Sequence, residues 1–176
     1  DINGIRKLFP TVLRSSYKTL SVSEVQSIPN VSIREKEEWG FYGHGTISHD
    51  YNLKAIKGDK VVVDNATGLM WHQNGSDKYM KWNKAKEWVR SLNGRGYAGH
   101  QDWRLPTVDE AVSLLESNKR TDLYIDPIFS NKQKWIWTGD KKGSEAAWSV
   151  GFYLGGVGWI NLIYSSSFVR PVRSVE

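Results

Sequence analysis

Hydrophobic and polar positions are patterned weakly at the start of the chain and sharply after residue 58. Within the first 40 residues, "TLSVSEVQSIPN" offers Ser21 and Glu24 as a capping box, a short helix, and Pro29 as its end. "SIREKEEWG" reads as a solvated charge run, and "GFYGHGTISHDYN" as a loop punctuated by Gly and Asn. From "DKVVVD" (59–64) the pattern predicts a strand, a turn at "NATG", and a hairpin partner in "LMWHQ" (69–73). "WNKAKEWVRSLNGRG" (82–96) places Trp82, Ala85, Trp88, Val89 and Leu92 on one helical face, with Asn93-Gly94 as its stop. In "DWRLPTVDEAVSLLES" (102–117), Thr107 and Glu110 form a second capping box ahead of the stripe Val108, Ala111, Val112, Leu114 and Leu115. A strand is expected around "KWIWTG". Three more follow at about 146–153, 157–164 and 168–173, with turns at Gly155-Gly156 and Ser165-Ser166-Ser167. The order is two helices followed by an antiparallel sheet, an α+β fold. Residues 1–58 are expected to be an N-terminal arm and loops packing on a domain spanning 59–176.

The last strands raise a question of purpose. From Ala146 to Val169 there is no charged residue. In "VGWINLIY" one face carries Val157, Trp159, Asn161 and Ile163, and the other Gly158, Ile160, Leu162 and Tyr164, so both are partly apolar. A central strand covered on both sides explains this pattern. So does a strand with one face in the core and the other exposed for contact. Tyr, Ser, Gly and Asn around a few bulky anchors is the mix found in antibody-type paratopes.

Composition narrows the options. A chain of 176 residues suffices for one domain with its own core. It contains 9 Trp, each bringing a large apolar area and one N–H that needs a partner when buried. The net charge is +5, but the Lys and Arg residues are scattered, without the aromatic-interleaved basic stripe of a nucleic-acid binder. There is no Cys, which excludes disulfides, thiolate nucleophiles and Cys-ligated zinc. No run reaches membrane-spanning length. A chain beginning at Asp1 rather than Met is expected to have lost a leader or an upstream region.

Reactive groups do not converge in the sequence. His44 and His49 in "HGTISHD" are a poor metal pair, because their spacing does not fit a helix and glycine flanks them. His72 and His100 read as surface or structural residues, and Asp102 as a cap or an arginine partner. Arg104, Arg170 and Arg173 are expected to stack on indoles and pair with carboxylates such as Asp64 or Asp102. No catalytic residue, metal or cofactor is assigned.

"TGLMW" (67–71), "GYAGHQDWRLPTVDEAVSLL" (96–115), "IDPIF" (125–129) and "VRPVR" (169–173) resemble the Lcl C-terminal domain family from about Asp59 to Arg173. The resemblance implies a C-type-lectin-like fold related to the formylglycine-generating enzyme. The Cys residues on which that enzyme's copper chemistry depends are missing here. So is the Glu-Pro-Asn segment of calcium-dependent lectins, and "WIN" at 159–161 lacks their carboxylate. Characterised family members are surface adhesins for sulfated polysaccharides. Others resemble the variable proteins of diversity-generating retroelements, whose sheet and loops form a mutable ligand-binding face.

Retroelement mutagenesis acts at template adenines, typically in AAC or AAT codons, and exchange of the first two bases cannot yield Lys, Glu, Gln or Met. Those four types make up 30 of the 176 residues, so twenty positions would hold roughly three. Residues 149–168 hold none. Trp is equally unreachable, so Trp159 is expected to be buried framework, together with Trp148, Val150, Phe152, Gly155, Gly156, Val157, Val169, Arg170 and Arg173. The ligand-binding positions would be Gly151, Tyr153, Leu154, Gly158, Ile160, Asn161, Ile163, Tyr164, Ser165, Ser166, Ser167 and Phe168. Of these, Tyr153, Leu154, Ile160, Ile163, Tyr164 and Phe168 should be clustered and exposed. The reading is a non-enzymatic binding module for a macromolecular ligand, protein or polysaccharide, on a bacterial surface or outside the cell. The alternatives are a sulfated-polysaccharide adhesin and a catalyst like the formylglycine-generating enzyme.

Overall fold

The computed structural model describes residues 10–175. Within them the chain forms helix α1 (Val22–Val25), strands β1 (Val31–Glu37), β2 (Gly40–Gly45), β3 (Tyr51–Ile56), β4 (Asp59–Asp64) and β5 (Leu69–His72), then helix α2 (Trp82–Arg95). A 3₁₀ turn (Tyr97–Gly99) and helix α3 (Val108–Ser113) precede β6 (Trp135–Lys142), β7 (Ala146–Gly151), β8 (Gly156–Asn161) and β9 (Val172–Ser174). The strands build two antiparallel sheets, of five strands in the order β1-β2-β8-β7-β6 and of four in the order β3-β4-β5-β9. With its few short helices the chain is α+β.

The continuous apolar run of β4 follows from burial on both faces. Val62 packs with Trp71 and Leu69 between the sheets, in a core shared with α3, Trp148, Val150, Val157 and Phe41. Val61, Val63 and Met70 face Ala85, Val89 and Leu92 of α2. Both capping boxes form, Ser21 with Glu24 and Thr107 with Glu110. Helix α2 runs one residue past the expected Asn93-Gly94 stop and is capped by Gly96 in the left-handed conformation (φ 68°). Asn93 is not a terminator, because its side-chain amide brackets the Trp103 backbone, donating to the carbonyl and accepting from the N–H, each at 2.8 Å.

Several indoles act as pins. Trp82, Trp103, Trp137 and Trp148 donate their N–H groups to the carbonyls of Thr138, Tyr97, Met80 and Leu20 at 2.7–3.1 Å. The arginines follow the expected structural reading with changed partners. Arg104 forks onto Glu110 (2.6 and 2.7 Å) and Arg173 onto Asp102 (2.7 and 3.3 Å). Arg170, fully buried, is held by the carbonyls of His72, Gln73 and Ser130 and by Gln133 rather than by a carboxylate. Asp64 pairs with His49 at 2.6 Å, and the other His49 nitrogen lies 2.6 Å from the Ser113 carbonyl. Burial alone would lower the His49 pKa, but these two acceptors outweigh it and the net shift is upward.

Three expectations need correction. Residues 31–56, read as charge run and loop, form β1, β2 and β3. Strand β1 is a sheet edge with little buried surface, so its charged side chains stand in water while its backbone pairs with β2. Gly40 lets β2 dock on β8, since a Cβ at its φ of 150° would collide with the Val157 carbonyl oxygen. Second, the C-terminal stretch does not end as a three-stranded sheet, because β9 crosses to pair with β5. Third, Trp159 is 39% exposed although its partner Trp148 is fully buried. Pairing between β2 and β8 stops at Gly158, which leaves Trp159 on an open flank with the Lys142 ammonium 4.6 Å from its ring centre.

The segment before α1 lies across the domain. Arg14 forks onto Asp140 (2.9 and 2.6 Å) and reaches Asp109 at 3.0 Å, while Tyr17 donates to the Leu105 carbonyl at 2.7 Å. Leu13 and Leu20 are buried.

Candidate ligand-binding groove

The pleat of the five-stranded sheet separates two environments. Ile136, Trp148, Val150 and Val157 point into the core between the sheets. The opposite face carries Trp137, Ala147, Ser149, Gly151, Gly156, Gly158 and Ile160. At one end this face is covered, where Trp137 and Ala147 join the α2 cluster with Ile160 against them. At the other end it is open, over Ser149, Gly151, Gly156 and Gly158, and forms a groove of about 650 Å³.

The floor is flat because three of those four residues are glycines. A Cβ on Gly156 would press on the Tyr42 ring at 3.4 Å, and one on Gly158 would meet the Trp39 ring at 2.9 Å. The walls are aromatic and aliphatic: Trp39 and Tyr42 on one side, in edge-to-face contact at 5.0 Å, and Trp135, Tyr153 and Leu154 on the other. Ser165 and Ser166 close a corner, where the Ser166 carbonyl accepts the Trp135 indole N–H at 3.2 Å. Cations lie at the rings, with Lys119 4.7 Å and Lys134 5.9 Å from the centre of Tyr153, and Arg34 5.6 Å from that of Tyr42.

Of the twelve positions singled out in the sequence, Gly151, Tyr153, Leu154, Gly158, Ile160, Ser165 and Ser166 line this groove. Asn161 does not, because its side-chain oxygen accepts the N–H groups of Ile163 (2.8 Å) and Tyr164 (2.9 Å) and shapes the turn. Ile163 and Tyr164 stand exposed on that turn, outside the groove lining. Ser167 and Phe168 are buried. Ser167 exchanges backbone hydrogen bonds with Met80, and Phe168 lies beside β6, donating its N–H to Trp135 and accepting from Trp137. The expectation that six apolar residues share one exposed cluster therefore holds for Tyr153, Leu154, Ile163 and Tyr164 as exposure, for Ile160 as half-burial, and fails for Phe168.

The sequence reading missed Trp39, Tyr42, Lys134, Trp135 and Ser149 as lining residues, and it assigned to the framework Gly156 and Trp159, which also line the groove. In "WGFYG" strand alternation separates Tyr42 from the core residue Phe41 and so marks Tyr42, but Trp39 reaches the same groove from the turn before β2, which alternation does not show. His44 and His49, weighed as a metal pair, are separated in role, since His49 is consumed by Asp64 and Ser113. Among the described residues no three His, Asp or Glu side chains come together as a metal site, and no helix is long and apolar enough to cross a membrane.

No curated protein and no solved structure matches the chain. The family model described as the Lcl C-terminal domain matches residues 60–173, from the first residues of β4 into β9. That block is roughly two-thirds of the chain and contains most of the core, the groove floor and one of its walls. The chain therefore belongs to the Lcl C-terminal domain family.

Proposed function

We propose that this protein is a non-enzymatic recognition module of C-type-lectin-like fold that binds its ligand in the groove, with positions of the C-terminal strands and turn diversified by a retroelement. The observation that carries the reading is an open, glycine-floored, aromatic-walled groove lined by seven of the twelve positions that codon chemistry leaves free to vary. Large apolar concavities open to solvent mark binding sites on soluble domains. The return of β9 to β5, which brings the two ends of the family block together, supports the lectin-like architecture. The ionisable side chains lining the groove are Lys134, Tyr42 and Tyr153, a set without the carboxylate or imidazole that would move protons at neutral pH.

A display library randomised at Tyr153, Leu154, Ile160, Ser165 and Ser166 tests the reading. Most members should fold, and selection against unrelated proteins should return different sequences for each. Loss of folding across the library would sink it. In the genome, a reverse-transcriptase gene beside a near-copy of the 3′ coding segment, differing at adenines, is the expected neighbourhood.

The lysines favour a second reading. Lys119, Lys134 and Lys142 lie against exposed aromatic rings, an arrangement suited to a sulfated polysaccharide. A fixed adhesin of that kind would bind heparin with an affinity that falls steeply between low and high salt. A groove-binding module would lose little.

A further inference from the structure

The groove's chemistry narrows the ligand class, given the reading that the groove is the binding site. We infer that the groove accepts an extended, proline-containing peptide segment of about six residues, lying across the strands, with a basic residue at one end and an acidic residue at the other.

Three observations carry this inference. The first is donor and acceptor balance. The floor is central-strand backbone whose N–H and C=O groups are already paired in the sheet, so it offers a ligand only flat apolar surface. The walls are rich in donors. The Trp39 indole N–H and the Tyr42 and Tyr153 hydroxyls have no partner among the described residues, and Lys134 adds an ammonium group. No Asp, Glu, Asn or Gln lines the groove. The side-chain acceptors within the lining are the hydroxyls of Tyr42, Ser149, Tyr153, Ser165 and Ser166, so a neutral sugar, which presents hydroxyl donors on every edge, would meet no carboxylate or amide oxygen on the floor or walls. A polyproline II segment presents apolar rings and bare carbonyls, and prolines contribute no N–H at all. Aromatic-walled grooves are the usual seat for such segments.

The second observation is charge. Glu35 and Glu37 are cross-strand partners of Tyr42 and Gly40, so they stand on the groove face of the sheet at its β1 edge, where with Arg34 over the Tyr42 ring they leave one net negative charge. Lys119 and Lys134 flank Tyr153 at the β6 side. A quaternary ammonium ligand, the other chemistry suited to aromatic walls, would meet those lysines and be repelled.

The third is length. From β1 to β6 there are four interstrand steps, about 19 Å at ~4.8 Å each. A polyproline II segment rises ~3.1 Å per residue, so about six residues join the acidic edge to the basic one. Trp39 and Tyr42 lie outside the matched family block, at residues before 60. They form a wall that this chain's own β1–β2 hairpin supplies, and they are specificity-determining residues.

The probes are capped hexapeptides with Lys or Arg at one end, Asp or Glu at the other, and Pro at two or more central positions. Each is paired with a counterpart carrying Gly for every Pro. Cellohexaose and a heparin hexasaccharide form separate arms. Binding is read on the wild-type protein by the indole N–H signals in a ¹⁵N–¹H spectrum, then by titration of Trp39→Ala and Tyr153→Ala variants checked for unchanged circular dichroism. The expected result is saturable binding by members of the proline set that shifts the Trp39 and Trp135 indole signals. Exchange of Pro for Gly, and either variant, should each weaken it at least tenfold. Absence of binding by the whole set, equal binding of the glycine counterparts, or shifts confined to tryptophans other than Trp39, Trp135 and Trp159 overturns the assignment. If a saccharide alone moves the Trp39 and Trp135 signals, the peptide assignment falls while the groove remains the binding site. The failure of the groove reading itself is read separately, from the display library.

Discussion

Acidification should destabilise this protein through a single buried histidine. His72 at the end of β5 is 6% exposed, stacked on Tyr97 at 4.3 Å, and its Nδ1 accepts the Gly75 N–H at 2.9 Å. The neutral ring with its proton on Nε2 fits this site, and a second proton on Nδ1 would oppose the Gly75 donor. Burial, followed by the positive charges of Arg170 and Arg95, holds the His72 pKa down at about 4. In the unfolded chain a histidine titrates near 6.5. Below that pH the unfolded state binds the extra proton, so stability falls as pH drops through 6.5 and levels off near 4. The whole interval corresponds to about 3 kcal/mol, of which about 2 kcal/mol is lost between pH 7 and pH 5.

The assay is urea unfolding followed by tryptophan fluorescence, on the wild type and on His72→Asn, whose side-chain oxygen can still accept from Gly75. His49 titrates in the opposite sense. Its raised pKa gives a contribution that is complete below about 6.5 and is lost as pH rises through its folded value. Being present in both proteins, it cancels in the comparison. The wild type should lose about 2 kcal/mol more than the variant from pH 7 to pH 5. Parallel curves would show that His72 takes up its proton without disturbing the fold, and the reasoning from burial would be wrong.

The two paired tryptophans of β7 and β8 should separate in the same assay. Trp148→Ala should cost about 3–5 kcal/mol as a core truncation, while Trp159→Ala, on the open flank beside Lys142, should cost no more than about 1 kcal/mol. Gly40→Val should unseat the β1–β2 hairpin from β8, seen as rapid hydrogen exchange of the Phe41 and Val157 amides while those of β4 and β5 stay protected.

What the sequence disclosed was local. The β4–β5 hairpin, helix α2 and both capping boxes depend on residues a few positions apart, and each is where the pattern placed it. What it concealed was relational. Strand β1 packs only Val31 and Ile33 against the core before the charged run from Arg34 to Glu38 interrupts the alternation, so its strand character depends on the partner that β2 offers. "VRPVR" reads as a strand, but that β9 joins the β3-β4-β5 sheet rather than continuing beside β8 is a matter of chain path. "SSSF" has the composition of a turn, yet Ser167 and Phe168 are drawn inside by backbone pairing with Met80 and with β6, residues far away in sequence. The groove was half legible for the same reason. Its floor lies in one strand pair, while the wall of Trp39 and Tyr42 comes from more than a hundred positions earlier and is joined to it by the pairing of Gly40, Phe41 and Tyr42 with Gly158, Val157 and Gly156.

The long uncharged stretch then has two causes rather than one. On the core face of β7 and β8, Trp148, Val150 and Val157 are fully buried, and a charge there would cost several kcal/mol without a partner. On the groove face the same strands carry Ser149, Gly151, Gly156 and Gly158, which are small because Trp39 and Tyr42 lie directly over two of them. Substitution should therefore be tolerated unevenly among the twelve positions. Tyr153, Leu154, Ile163 and Tyr164 project from turns, where exchange disturbs little. Gly158 lies beneath the Trp39 ring, so any side chain there must push the wall outward and change the groove's width. Exchange of Tyr153 or Leu154 would reshape one wall of the groove and leave its floor as it is. Changing Gly158 would alter which class of ligand fits at all.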